Sequence, residues 1–313
     1  SCEGDNRRGA VDFSGRVAIV TGGGKGVGRA IAEGLAARGA SVVVNNRSRD
    51  GTDSAGHVAA EIEKAGGRAV AERSSVEAPG APDALVATAL ESYGRLDLVV
   101  ANAAVVDRAT FVNADLDEFR RVMEIDFMAP VALAKAALTE VRSQSGRFLF
   151  VTSAAGAYGE YGVASYAAAK GALGAFAKTL ALELARDDVK VNLLAPFAAT
   201  QMTEGFVDET TEASLAPSLV VPAALWLLSS EVTVTGSTIV AAANRFRSVV
   251  TGETAGVSFP DHTTVSDEAF LRAVEGVIAP DDWQAFSDGM SAFQHLMQNP
   301  GSPPIVGDGD GLG

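Results

Sequence analysis

Residues 16–39 constrain the fold most. Arg16 to Thr21 reads RVAIVT, a β-branched apolar run with the pattern of a strand buried on both faces. It runs into Thr21-Gly22-Gly23-Gly24-Lys25-Gly26-Val27-Gly28, and a helical segment follows from about Gly26 to Arg38, ending at Gly39. Gly22, Gly26 and Gly28 form G-x3-G-x-G between strand and helix. Glycine permits the sharp turn and the close approach of a pyrophosphate, and the helix N-terminus supplies N–H groups and positive partial charge. Gly24, Lys25 and Val27 share this loop and complete the phosphate-binding candidates.

The same alternation continues downstream. Strands are expected at Ser41–Asn45, Ala69–Glu72, Leu96–Ala101, Arg147–Thr152 and Val189–Leu194, the last running on to Pro196. Helices are expected at His57–Ala65, Ala81–Tyr93, Leu116–Arg142 (despite Pro130) and Ser165–Arg186. Apolar strands alternating with helices imply an α/β fold, a doubly wound parallel sheet of Rossmann type. A ligand should bind outside the carboxyl ends of the strands, where Thr21, Ala101, Ser153 and Pro196 fall. The expected organisation is a disordered leader over 1–12, one domain over 13–245, and a C-terminal extension over 246–313. Beyond Ala241 the alternation stops. Ser266-Asp267-Glu268 reads as one helix start, and Pro280-Asp281-Asp282 opens a second helix over Trp283–Met297, followed by a flexible tail.

Ser153, Tyr166 and Lys170 read S-x12-Y-x3-K. On a helix, Tyr166 and Lys170 project to one face. An ammonium beside a phenol favours the phenolate, as a tyrosine that trades protons near neutral pH requires. A serine at a neighbouring strand end is placed to hold a substrate carbonyl oxygen.

The end of the second strand bears on cofactor choice. A carboxylate there would bind a ribose diol and repel a 2′-phosphate. The chain instead reads Asn45-Asn46-Arg47-Ser48-Arg49, with no acid before Asp50. Asn46 is uncharged, Arg47 can fork onto phosphate, and Lys25 in the glycine loop is placed to reach the same group. This favours NADP over NAD.

The net charge of −14 disfavours nucleic acid as a partner. No apolar run reaches the length of a membrane span, so no membrane partner is expected. The single cysteine, Cys2, forms no internal disulfide, and a cytoplasmic location is expected. His57, His262 and His295 match no ligand spacing, and no metal is expected.

Together these residues resemble the classical short-chain dehydrogenase/reductase family over roughly residues 13–245. The resemblance implies an oxidoreductase that moves hydride between NAD(P) and a carbonyl or alcohol, as a homodimer or homotetramer. It implies that Tyr166 is the acid/base, that Lys170 also binds the nicotinamide ribose, and that Ser153 orients the substrate oxygen. VVVNNRSRDGTDSAG, SAAGAYGEYGVASYAAAKGAL and LAPFAATQMTE further resemble the hydroxyacyl-CoA dehydrogenase domain of multifunctional enzyme type 2. That subgroup handles (3R)-hydroxyacyl thioesters and, in some members, steroids.

The resemblance also places Ser75, Val76, Asn102, Ala103 and Pro196 against the cofactor, and puts Asp126 where the family carries a relay asparagine. Departures are Ala101 and Ala104 in the usual Asn-Asn-Ala-Gly, Ser74-Ser75 in place of an adenine-binding acid, Phe197 for glycine, and Asn46 for the subgroup's ribose acid. The expected function is therefore an NADP(H)-preferring oxidoreductase on an apolar ketone or alcohol: an acyl thioester, steroid or cyclic ketone. Ala198 to Leu219 is expected to form a lid over that small-molecule substrate. The alternatives are an NAD-dependent (3R)-hydroxyacyl-CoA dehydrogenase and a catalytically silent cofactor-binding module.

Overall fold

The structure is a computed structural model, described over residues 11–48, 51–199, 215–259, 264–278, 283–286 and 288–298. The chain divides into two compact units, Ser1–Ser248 and Val249–Gly313.

The first unit alternates strand and helix. In order these are β1 (Val17–Val20), α1 (Gly26–Ala36), β2 (Ser41–Asn45), α2 (Ser54–Lys64), β3 (Arg68–Glu72), α3 (Ala81–Tyr93) and β4 (Leu98–Ala101). There follow α4 (Leu116–Met123), α5 (Ala129–Ser143), β5 (Arg147–Val151), the short α6 (Ala154–Tyr158), α7 (Ala164–Glu183) and β6 (Lys190–Phe197). Then come α8 (Val221–Leu228), β7 (Thr238–Ala242) and β8 (Arg245–Val249). The sheet order is β3-β2-β1-β4-β5-β6-β7-β8, with parallel pairing from β3 through β7. The order reverses at β1, so the crevice beyond the ends of β1 and β4 is the switch point where such sheets take ligands.

Strand alternation sorts the core into two clusters. Ala18, Val20, Val42, Val44, Leu98 and Val100 pack with Ile31, Leu35, Val58 and Leu225 of α1, α2 and α8. Ile19, Val43, Val99, Phe148, Phe150 and Leu193 face the other way, onto Leu85, Leu133, Ala137 and Leu173 of α3, α5 and α7. At the opposite edge from the switch point, buried Asp97 accepts from Arg16, Arg95 and the Val17 N–H. Arg147 donates to the carbonyls of Ser145, Gly146, Asp188 and Ser229.

Four sequence expectations are corrected. The sheet does not stop at Ala241: β7 and β8 form a hairpin about Ala243 and Asn244, both with positive φ, 47° and 59°. Such a two-residue turn matches strand twist. The helix expected from His57 starts at Ser54, because Asp53 caps it by accepting from the Gly56 N–H. Leu116–Arg142 is not one regular helix; Glu124–Met128 is a π-turn in which the Ala129 N–H reaches Glu124 O. Pro130 is the cause: it has no N–H to bond the Asp126 carbonyl, and its ring crowds that carbonyl.

Trp283 does not open a helix. In the second unit, β10 (Trp283–Ala285) pairs antiparallel with β9 (Gly252–Thr254). The Trp283 ring occupies the space a side chain on Gly252 would need. Among the described residues of this unit the helices are α9 (Asp267–Ile278), starting as expected, and α10 (Gly289–Gln298). Most of the expected lid, residues 200–214, lies outside the described residues, as do Arg49, Asp50 and His262.

Candidate active site

The glycine turn is closed by the protein's own hydrogen bonds. Thr21 Oγ1 accepts from the N–H groups of Asn102 (3.0 Å) and Ala103 (3.1 Å). The Asn102 amide donates back to Thr21 O at 3.0 Å and Gly22 O at 3.3 Å. The loop after β4 is thereby latched to the end of β1. Gly22 and Gly26 have positive φ, 63° and 52°, which L side chains rarely adopt. A Cβ on Gly24 would meet Ser54 Oγ and one on Gly28 would meet Asn102 Nδ2, so close packing also demands glycine. No side chain caps α1, which leaves the first-turn N–H groups of Gly26, Val27 and Gly28 for an anion.

From this turn a groove of about 110 Å³ runs across the strand ends. The expected cofactor residues Gly22, Asn46, Arg47, Ser75, Val76 and Ala103 line it. So do Ser74 and Ala104, marked above as departures from the family pattern, and Asn45, Glu77, Val105 and Ile125, which the sequence did not single out. Asn46 Nδ2 donates to Ser54 Oγ at 2.7 Å and to Arg47 O at 3.2 Å. Asn45 Nδ2 donates to Glu72 Oε2 (2.6 Å) and Ser74 O (3.0 Å), joining the ends of β2 and β3. The Asn45 Oδ1 atom is buried without a hydrogen-bond partner. Pro196 lies apart from the groove lining, paired in register with Ala241 on β7.

Ser153 caps α6, its hydroxyl accepting from the Ala155 N–H at 3.1 Å. That hydroxyl keeps its proton for a second partner. Gly156 allows α6 to touch α7: a Cβ there would sit 2.7 Å from the Lys170 carbonyl carbon. Thr152 Oγ1 donates to Lys170 O at 3.1 Å, and Lys170 Nζ donates to Val151 O at 3.1 Å. The lysine that the sequence places near the serine is thus tied to the same strand end.

Lys170 Nζ is 5.5 Å from the Tyr166 ring centroid, within cation–π range. It is also 3.3 Å from Asp126 Oδ2, in ion-pair contact without hydrogen-bond alignment. The second Asp126 oxygen accepts from the Val105 N–H at 2.8 Å. The lysine and aspartate side chains are 2% and 0% exposed. Burial raises the Asp126 carboxyl above its ordinary value of 3.8, with the Lys170 charge pulling the other way. The structure therefore brings Tyr166, Lys170, Asp126 and the end of β5 together beside a turn suited to a pyrophosphate.

Residues 16–211 match the family described as short chain dehydrogenase, covering more than half of the chain. The chain belongs to the short-chain dehydrogenase family. Mouse peroxisomal multifunctional enzyme type 2 is 38% identical over 222 residues, 69% of this chain. The chain spans 30% of that relative's length. A short chain dehydrogenase structure from Mycobacterium avium superposes with TM-score 0.76 at 33% identity, covering 88% of this chain and 99% of that one. A putative NAD(P)-dependent gluconate 5-dehydrogenase from Beutenbergia cavernae, with bound NADP, gives TM-score 0.68 at 30% identity, covering 75% and 98%. The family is one of oxidoreductases. No helix among the described residues is long and apolar enough to cross a membrane.

Proposed function

We propose that this chain is an NADP(H)-preferring oxidoreductase acting on an apolar ketone or secondary alcohol. The observation that carries the reading is Lys170, held by Val151 O and Asp126 and facing the Tyr166 ring. The groove residues fit a dinucleotide. Gly22, Gly24, Lys25, Gly26, Val27, Gly28 and Asn102 would hold the pyrophosphate turn, Asn46 and Arg47 the adenosine ribose, and Ser75 and Val76 the base. Ala103, Tyr166, Lys170 and Pro196 would hold the nicotinamide end.

When bound, the nicotinamide supplies or accepts the hydride. The chain's own residues handle the proton. Tyr166 gives its hydroxyl proton to the carbonyl oxygen in reduction and takes it from the hydroxyl in oxidation. Ser153 donates to that same oxygen and orients it. The Lys170 ammonium stabilises negative charge on the Tyr166 oxygen. Asp126 positions the ammonium and offsets its burial.

Exposed Phe111 and Val112, in a 3-10 turn, and Tyr158 and Tyr161, at and just after the end of α6, flank the Ala109–Val163 bridge, close in the chain to Tyr166. They support an apolar substrate, and an acyl thioester heads the list because of the multifunctional-enzyme relative. The NADP preference rests on Arg47 and on the absence of an acid at Asn46. The NADP-bound relative supports it. A second reading, an NAD-dependent (3R)-hydroxyacyl-CoA dehydrogenase, is favoured by Glu77, whose carboxylate lies 4.0 Å from Arg47.

The reading includes a homodimer or homotetramer. Exposed Ala175, Thr179 and Leu182 on α7 form a face separate from buried Leu173, Leu180 and Leu184. A cytosolic setting, argued from the single cysteine, belongs to it as well. The test is turnover of acyl thioesters, steroids and cyclic ketones with NADPH and NADH. Cofactor binding with no turnover on any of them would replace the enzyme by a silent cofactor-binding module.

A further inference from the structure

We propose that Glu77 sets the discrimination between a 2′-phosphate and a 2′-hydroxyl, by holding Arg47 in an ion pair that a phosphate must displace. The proposal rests on reading the groove as a dinucleotide site. Among the described residues lining the groove, Arg47 is the one cation and Glu77 the one anion. They come from different loops, after β2 and after β3, and meet with Nη1 4.0 Å from Oε1. Ser75 Oγ donates to Glu77 Oε2 at 2.6 Å and so aims the carboxylate. The neighbouring Arg73 is committed elsewhere, with Nε and Nη2 on Asp53 Oδ2 at 2.9 and 2.6 Å. That second pair ties the same two loops together, which limits how far Arg47 and Glu77 can part. Asn46 adds no charge, and its amide is engaged by Ser54 and the Arg47 carbonyl.

Two effects follow, and both fall on the phosphorylated nucleotide. Arg47 must exchange Glu77 for the phosphate, and the Glu77 carboxylate then repels the phosphate that Arg47 holds. A nucleotide with a free 2′-hydroxyl meets neither effect. The two side chains are 43% and 29% exposed, so the pair itself is worth only a few-fold in affinity. Adding the repulsion gives about 3- to 10-fold against the phosphate at low salt.

The experiment is calorimetric titration of the full chain with adenosine 2′,5′-bisphosphate and with 5′-AMP at low salt. The proteins are wild type, Glu77→Gln, Arg47→Ala and the double variant. Glutamine keeps an acceptor for Ser75 and removes the charge. Glu77→Gln should bind the bisphosphate about 3- to 10-fold more tightly and 5′-AMP within about 2-fold of wild type. In the Arg47→Ala background the part of that gain that comes from the ion pair should vanish and the part that comes from repulsion should remain, so the gain should be smaller. Unchanged bisphosphate affinity, equal tightening of both ligands, or a full gain without Arg47 each overturns the proposal. A wild type that holds both nucleotides equally, with a selective gain in Glu77→Gln, sinks the NADP preference and upholds the role of Glu77. A chain that binds neither nucleotide overturns the groove assignment and this proposal with it.

Discussion

Gly28→Ala sets two effects of opposite sign against each other. Gly28 lies in the first turn of α1, where alanine gains up to about 1 kcal/mol over glycine in helix propensity. A Cβ at Gly28 would, however, meet Asn102 Nδ2 and Gly22 O. Asn102 cannot swing aside freely, because its amide is bonded to Thr21 O and Gly22 O. Forcing a methyl into packed backbone costs about 1–3 kcal/mol, and losing the amide bond adds about 1 kcal/mol. The balance is a destabilisation of about 1–3 kcal/mol. Gly174 in α7 supplies the contrast: a Cβ there meets nothing within 4 Å. Gly174→Ala should therefore stabilise by up to about 1 kcal/mol. The assay is urea unfolding followed by Trp226 fluorescence in a Trp283→Phe background, since the two tryptophans lie in different units. The midpoint should fall for Gly28→Ala and rise for Gly174→Ala at unchanged slope. A raised midpoint for Gly28→Ala would refute the reasoning, because it would mean that the loop relaxes without cost.

Tyr166→Phe removes the transferable proton and should lower kcat at least about 10²-fold with cofactor affinity little changed; near-normal turnover would remove Tyr166 from its role. Arg47→Ala should weaken NADPH by about 1.5–3 kcal/mol and leave NADH nearly unaffected, measured by fluorescence titration; a wild type that prefers NADH would contradict it. Asp126→Asn keeps the shape and removes the titrating charge beside Lys170, so urea unfolding of the two proteins across pH reads what that charge does to stability. Burial raises the folded-state Asp126 above 3.8, so its stabilising contribution is full below that value and is lost as pH rises through the raised one. The gap between wild type and Asp126→Asn should accordingly narrow from acid toward neutral pH, and a widening gap would show that the ion pair outweighs desolvation. In sedimentation at micromolar concentration the chain should run as a dimer or tetramer, and a sharp 32.0 kDa monomer would count against assembly through α7.

What could be read in advance follows the range of the interactions involved. Ser41–Asn45 and Ala81–Tyr93 are local patterns with clear stops, and both elements lie where the sequence puts them. The β7–β8 hairpin carries no such signal, since its turn is Ala243-Asn244 rather than a glycine pair and its strands lean on a sheet begun far upstream. Pro130 is visible in the sequence, but its effect on the Asp126 carbonyl depends on a helix that continues past it. Glu77 reads as an ordinary surface acid until β2 and β3 pair and bring Arg47 beside it. Asn45 and Glu72 are likewise joined across 27 residues by the parallel register. Tyr166 and Lys170 share one helix face and so could be paired by spacing. The contact of Lys170 with Asp126 needs two helices packed together.

The wide turn at Glu124–Met128 has a consequence for the phase of the helix that contains it. One additional residue rotates everything beyond it by about 100°. The segment before the turn, α4, therefore lies against α7, while α5 lies against α3 and the strands β4 and β5. A uniform helix of the same composition would have to choose one of those neighbours. Chain length across residues 124–128 is accordingly more tightly constrained than residue type. Exchanging a side chain there preserves the angular offset. Deleting any single residue would remove it, either turning Asp126 away from Lys170 or lifting α5 off the sheet.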